Sequence, residues 1–304
     1  MTASTDPVPE RPRWLPPGLF PFTSRFVELD GHRIHYIDEG EGPVLLMLHG
    51  NPTWSFVWRH LVLALRDEFR CIALDYPGFG LSQARDGYDL LPSSHARVVA
   101  AFVDALALPS FTPVVQDWGG PIGLWVAARL HPRVTALVIG NTMAWPVADD
   151  PHFARFSRMM GGALGSFAIR RFNAFVNVMI PLGTKRRRLS GAEMAAYRRP
   201  LDTAARREGS AVFPRAIVGE SGFLAEVEAG LPALADKPAL LVWGDRDIAF
   251  REQERQRFAA ALPRATTVVL PGAGHYVQEE SPDEIAAAIR ELWRQPALAQ
   301  ERRA

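Results

Sequence analysis

Two short runs in which apolar and polar residues alternate open the chain, "SRFVELD" and "HRIHYID". They are separated by Gly31 and predict a hairpin. The next run, "PVLLMLH", is apolar without interruption, as in a strand buried on both faces. Helical and strand patterns then take turns. A helix from about Trp54 to Leu65 precedes the strand "RCIALDY", and a helix over roughly Ser94–Ala107 precedes "FTPVVQ". A further helix runs from near Gly119 to "HPR", followed by the strand "VTALVIGN". This order predicts an α/β fold with a mostly parallel central sheet flanked by helices.

The rhythm breaks at "TMAWPVADDPHF". From about Trp145 to Asp236 the patterns are helical, as in "FAIRRFNAFVNVMI" and "SGAEMAAYRRPLDTAARREG". Strand and helix return with "PALLVWGD", a helix from Glu252, the strand "TTVVLPG" and a helix from Pro282. One core domain, residues 20–144 and 237–296, interrupted by an inserted helical cap over 145–236, accounts for this order. Residues 1–19 and 297–304 are termini, and the tail "QPALAQERRA" is expected to fray. An insertion beside the strand ends makes a lid over whatever site those ends carry.

Composition excludes more than it selects. The net charge of +1 gives no global attraction to nucleic acid or to an anionic membrane. No run is long and apolar enough to span a bilayer, and no secretory signal opens the chain, so a cytoplasmic protein is expected. The single cysteine, Cys71, lies in a strand-like run and reads as a buried thiol. The basic tetrad at 185–188 reads as a solvated helix end or loop. No His/Asp/Glu group has metal-ligand spacing and no phosphate loop is present, so no metal or cofactor is expected.

Ligands of open α/β sheets gather at the carboxyl ends of the strands. Standing there are "HGNP" at 49–52, Asp117, "GDRD" at 244–247 and "GAGH" ending in His275. Acid, acid, histidine is the chain order of an α/β-hydrolase triad with aspartate in the nucleophile's place. The turn Val115-Gln116-Asp117-Trp118-Gly119 resembles the nucleophile elbow G-x-S-x-G, with aspartate for serine. A carboxylate is a weak nucleophile toward esters, but it displaces a leaving group from a saturated carbon and leaves an ester of the enzyme. Water activated by a base then hydrolyses that ester. Asp117 at a helix start is favoured as the ion by the helix dipole. The plainer reading is a helix cap, which the accompanying acid and histidine outweigh. His275 is the candidate base. His32, His35, His49, His60, His95, His131 and His152 read as structural or solvated.

In this fold the backbone N–H groups of Asn51 and Trp118 make the oxyanion hole. The same two residues bring neutral side-chain donors, an amide and an indole N–H. Neutral donors beside a carboxylate suit a departing halide, which needs no proton. An epoxide oxygen leaves as a basic alkoxide and needs an acid.

Together "HGNPTWSFVWRHL", "LDYPGFGLS", "VVQDWGGPIG", "LSGAEMAAYRRP", "KPALLVWGDRDIAF" and "GAGHYVQEESPDEI" make the chain resemble the haloalkane dehalogenases over roughly residues 20–295. The resemblance implies an α/β-hydrolase fold, a haloalkane and water as substrates, a halide product and no cofactor. It implies Asn51 and Trp118 as the halide pair. It makes Asp247, three residues after Gly244, the acid that orients His275, and Asp245 a turn residue. One subgroup takes its acid as a glutamate after the sixth strand, where this chain has Asn141. An Asn-Trp pair with an acid after the seventh strand is similar to another, less characterised subgroup. Oligomeric state is left open. The nearest rival is an epoxide hydrolase, which shares the elbow but uses two lid tyrosines; this lid has one, Tyr197. A luciferase-like oxidation and a non-catalytic binding protein are further alternatives on the same scaffold. Met159, Met160, Phe167, Phe172, Phe175 and Met179 are candidates to line an apolar pocket.

Overall fold

The computed structural model describes residues 11–299. Its centre is an eight-stranded sheet of β1 (Arg25–Leu29), β2 (His32–Glu39), β3 (Val44–Leu48), β4 (Arg70–Leu74), β5 (Thr112–Gln116), β6 (Leu137–Gly140), β7 (Ala239–Gly244) and β8 (Ala265–Leu270). The strand order is β1-β2-β4-β3-β5-β6-β7-β8. The first two pairings, β1 with β2 and β2 with β4, are antiparallel, and the rest of the sheet is parallel. Asp30 and Gly31 close the hairpin with φ of 51° and 80°, the left-handed pair that a two-residue turn demands.

Every residue of β3, β5, β6 and β7 is buried. That is why these strands read as apolar runs, since helices cover both faces. Alternate residues of β3 feed opposite faces. Leu46 and Leu48 join Val99 and Phe102 of α2 (Pro92–Ala105) and Ile122 of α3 (Gly119–Arg129). Leu45 and Met47 join Leu61 and Leu65 of α1 (Arg59–Leu65).

Between β6 and β7 there is no strand. The chain there forms α4 (Pro151–Gly161), α5 (Ala163–Phe172), a π-helical turn (Phe175–Met179), α6 (Ile180–Gly183), α7 (Gly191–Arg198), α8 (Glu208–Gly219) and α9 (Ser221–Gly230). Two starts are visible in the sequence as caps. The Asp150 side chain accepts the His152 N–H at the start of α4, and Ser190 and Glu193 form a capping box on α7. After β7 come α10 (Glu252–Ala261), α11 (Val277–Glu280), α12 (Pro282–Leu292) and α13 (Pro296–Ala299). Among the described residues no helix is long and apolar enough to cross a membrane.

Two expectations about the surface change. The tail does not fray throughout: residues 296–299 form α13, with Leu298 buried, while 300–304 lie outside the described residues. The basic tetrad is not simply solvated either. Arg187 donates to Glu193 and to Glu279, and Arg186 donates to Ser281, Glu284 and the Pro271 carbonyl. Behind Arg187 lies Arg59, wholly buried, bonded to Glu193 at 2.7 Å and to Glu279 at 2.9 Å. The Tyr197 hydroxyl donates to the same Glu279. Buried carboxylates so matched by guanidinium groups join α7 to α1 and α11. Burial is the larger force on the Arg59 guanidinium and opposes its charge, but Glu279, Tyr197 and Glu193 outweigh it and hold the proton more tightly. His60, Glu193 and Glu279 could bring three ligand atoms together, but two arginines already neutralise those carboxylates. The group is an ion-pair cluster and not a metal site.

Candidate active site

Parallel register brings the strand ends level. Leu48 lies beside Val115, Gln116 beside Gly140, and Gly140 beside Val242. The residues just past those ends therefore converge.

Asp117 follows β5 directly and has φ of 52°, the left-handed region that a side chain rarely adopts. That kink lifts its carboxylate out of the sheet, and close backbone approach makes room for it. A Cβ on Gly119 would fall 2.1 Å from the Leu48 carbonyl, and one on Gly50 would fall 2.2 Å from Asp117 Oδ1. These two glycines are therefore required by the elbow and by the "HG" that faces it. The Asn51 N–H donates to Asp117 Oδ1 at 2.7 Å, and the Trp118 N–H also donates to the carboxylate. Asp117 is thus not a helix cap: α3 begins at Gly119 with no side-chain cap.

Burial opposes the ionised form of Asp117 that a helix start favours. Desolvation pushes its pKa up, and the opposing pull of His275 and the two N–H donors does not fully offset it. A carboxylate held this way is poorly solvated, which makes it a better nucleophile than one in water.

His275 presents Nε2 3.7 Å from Asp117 Oδ2 and bonds Asp247 Oδ2 through Nδ1 at 2.9 Å. Burial pulls the imidazole pKa down, but Asp247 and Asp117 outweigh it, so His275 holds its proton above the ordinary histidine range. Asp247 is itself fixed by the Ala249 N–H at 2.7 Å and the Asn141 amide at 2.8 Å. Asp245 turns away and accepts the Gly272 N–H.

A cavity of about 270 Å³ opens above these groups. Asp117, Asn51 and Trp118 line it with His275, and Phe153, Phe156, Phe175, Ile217 and Phe250 supply apolar walls. Of the six pocket candidates in the helical segment, Met159, Phe175 and Met179 line it. Met160 packs on Ile169, Phe175 and Ala211, while Phe167 and Phe172 face solvent and touch each other edge to face. Those two lie on the outer side of their helix, a distinction that apolarity alone does not draw. His152, expected to be structural or solvated, lines the cavity and bonds the Ala249 carbonyl.

The Trp118 indole N–H has no acceptor among the described residues, and its ring packs on Phe213. The Asn51 side-chain N–H reaches the Ser210 carbonyl only at 3.4 Å, and its Oδ1 is buried without a partner. A better acceptor in the cavity would compete easily for so long a bond. His49 is structural: its ring bonds Gly50 O and Tyr76 N, and burial lowers its pKa to about 4. Cys71 is buried with its thiol pushed up to about 12 by desolvation.

Three neighbours escaped the sequence reading. The Gln116 amide nitrogen lies 3.0 Å from His275 Nε2 and 3.1 Å from the His275 carbonyl. Gln278 donates to Gln116 Oε1. Asn141 accepts the Gly244 N–H while donating to Asp247. A glutamine ending an apolar strand and an asparagine ending another were the available signals. Tyr197 points at Glu279 and away from the cavity, whereas Tyr276 lines it.

A strand-to-helix elbow bearing an acid, with histidine and a second acid from later loops, is the frame of an α/β hydrolase with an aspartate at the elbow. The sequence model of the alpha/beta hydrolase fold matches residues 43–282. Haloalkane dehalogenase 2 of Mycobacterium tuberculosis is 47% identical over 277 residues, covering 90% of this chain and 96% of that protein. A cis-3-alkyl-4-alkyloxetan-2-one decarboxylase of Shewanella oneidensis is 35% identical over 90% of this chain and 88% of its own length. The crystal structure of haloalkane dehalogenase DbeA from Bradyrhizobium elkani superposes with a TM-score of 0.84 at 29% identity, covering 92% of this chain and 99% of that one. The chain belongs to the haloalkane dehalogenase family of α/β hydrolases.

Proposed function

We propose that the protein hydrolyses haloalkanes through a covalent alkyl-aspartate, with residues 145–236 as the cap of a core formed by 20–144 and 237–296. The reading rests above all on one observation: the two oxygens of Asp117 have different surroundings. Oδ1 accepts the Asn51 N–H at 2.7 Å, and Oδ2 lies on the His275 side, 3.7 Å from Nε2. Oδ2 attacks the carbon, the carbon–halogen bond breaks, and the halide leaves with the electron pair. The Trp118 indole N–H and the Asn51 amide receive it. Oδ1 becomes the ester carbonyl, already in the oxyanion hole.

Hydrolysis follows from the same charges. Alkylation removes the negative charge of Asp117, one of the three, with Asp247 and Glu280, that hold the proton on His275. Burial then favours the neutral imidazole, so the base becomes available once there is an ester to cleave. Water adds to Cγ and gives its proton to His275, which Asp247 steadies. The tetrahedral adduct collapses, the alkyl oxygen leaves with a proton as the alcohol, and Asp117 regains its carboxylate. We place the protein in the cytoplasm, and in the subgroup whose acid follows β7. The contact of Asn141 with Asp247, in place of a glutamate after β6, supports that placement.

A second reading comes from the decarboxylase relatives. An oxetan-2-one has a strained carbon–oxygen bond at a saturated carbon, and Asp117 can open it in the same way. Loss of carbon dioxide then expels Asp117 and leaves an alkene, with no need for water. Epoxide hydrolysis is less well supported: Tyr197 is engaged elsewhere, and burial pushes the Tyr276 phenol pKa up, making it a poor acid.

The deciding experiment offers short bromo- and chloroalkanes, a cis-dialkyl β-lactone and styrene oxide to the wild type and to Asp117→Ala. Halide release that vanishes in the variant is the expected result. Alkene from the lactone without halide would replace the proposal with the second reading, and diol alone would move the protein to the epoxide hydrolases.

A further inference from the structure

Between residues 151 and 207 the chain carries twelve Lys and Arg side chains and two acids, Glu193 and Asp202. That stretch has a net charge of +10 in a protein of net +1, so the remainder carries −9. Near-neutrality overall thus conceals a strongly basic stretch within a cap whose residues 145–236 together carry +4. Glu193 is already matched to Arg59 and Arg187. Arg155, Arg158, Arg171, Lys185, Arg188 and Arg199 are exposed, and their side-chain charges have no acidic partner among the described residues.

The same stretch is where apolar side chains reach solvent. Of ten exposed large hydrophobic residues among those described, six lie between 159 and 182: Met159, Leu164, Phe167, Phe172, Val178 and Leu182. Phe167 and Phe172 are more than half exposed, and Leu164 is 81% exposed. α5 has the pattern of an interfacial helix. Ser166 and Ile169 face the protein, while Leu164, Phe167 and Arg171 face out. Charge and ring intermix, with Arg171 above Phe172. Met159 and Leu182 also line the active-site cavity, so this surface reaches its mouth.

Like charge opposes cap-to-cap pairing of two copies. Bare arginines alone would suit a nucleic acid, but six exposed apolar groups would not. Cations interspersed with aromatic and aliphatic side chains match an anionic bilayer, whose phosphates take the arginines and whose acyl boundary takes the rings. We propose that this face of the cap seats the protein on an anionic lipid surface, with the cavity mouth beside the layer in which apolar substrates dissolve. This departs from the expectation of no membrane partner that net charge alone gave.

Vesicle sedimentation tests it without reading any chemistry, so it stands or falls apart from the proposed reaction. The full chain is mixed with vesicles of equal phosphatidylglycerol and phosphatidylcholine, or of phosphatidylcholine alone. Binding to the anionic vesicles is expected to be at least about tenfold tighter and to weaken as salt is raised. Two triple variants, Leu164→Ser with Phe167→Ser and Phe172→Ser, and Arg155→Ser with Arg158→Ser and Arg171→Ser, should each lose about tenfold or more in binding. Both should keep the wild-type Tm, because these side chains lie outside the core and the cavity. No binding, equal binding to both vesicles, or binding untouched by the first triple variant would overturn the proposal. So would self-association in light scattering that the variants abolish without any vesicle binding.

Discussion

Every residue of β3 is buried, whereas six large apolar side chains between Met159 and Leu182 stand in solvent. Charge is uneven too, with +10 within residues 151–207 and −9 over all the rest of the chain. In the sheet, hydrophobicity reports burial, and position along the chain reports position in space. In the helical segment neither holds. Its apolar residues divide among core, cavity and exterior, and its charges divide between ion pairs and solvent. Chemistry needing sub-ångström placement is therefore anchored on strand ends, while the segment with freer composition shapes access to it.

The largest effects should come from the sheet side. His275→Phe removes the base but not the nucleophile, so ester hydrolysis should slow roughly a thousandfold or more. Mass spectrometry after a bromoalkane challenge should show the alkyl group on the peptide that contains Asp117. An unmodified peptide from folded protein would count against the covalent route.

The next effect tests the junction. Glu279→Leu leaves Arg59 buried without its main partner and should cost about 3–5 kcal/mol. Hydrogen exchange should quicken in α7 and leave β5 protected; equal loosening of both would erase the contrast between the regions.

Smaller effects return to the elbow. His275 is faced by Asp247, Asp117 and Glu280, all favouring its proton, and by the Gln116 amide, whose N–H toward Nε2 favours the neutral ring. Gln116→Met removes that donor, so the imidazolium should persist to higher pH. Ester hydrolysis should then fall roughly threefold near pH 6 and be unchanged near pH 8.5. A shift of the acid limb the other way would mean that the glutamine oxygen faces the histidine.

The smallest effect is on stability. Asp117 has a folded pKa raised above its unfolded value, so its contribution to stability is full below the unfolded pKa and is lost as pH rises through the folded one. At neutral pH the charge is a burden. Asp117→Asn should raise Tm slightly at pH 7, and the gain should vanish below about pH 4, where both states are protonated. A lower Tm at pH 7 would contradict the sign.

Much of this was legible in the sequence. The apolar runs at 43–49 and 238–245 announce strands, and Asp117, Asp247 and His275 stand past the ends of β5, β7 and β8. What escaped depends on partners distant in the chain. Nothing local to "KRRR" says that Arg187 meets Glu279, 92 residues on. Gln116 gives no sign that its neighbour will be a histidine from 159 positions away. The outward set of α5 depends on α4 and α8 lying behind it, which periodicity does not report.

The loop bearing His275 is tied to the inserted segment as well as to the sheet. Its N–H donates to the Gly183 carbonyl at 2.7 Å, Glu280 accepts from the Lys185 and Arg186 amides, and Glu279 binds Arg187 and Tyr197. Anyone transplanting a foreign roof onto this scaffold to change its substrate range would find two kinds of material in it. The stretches before residue 183 and after residue 198 are open to exchange. Residues 183–198 travel with the histidine, and a chimera that swaps them alone should fold while misplacing its base.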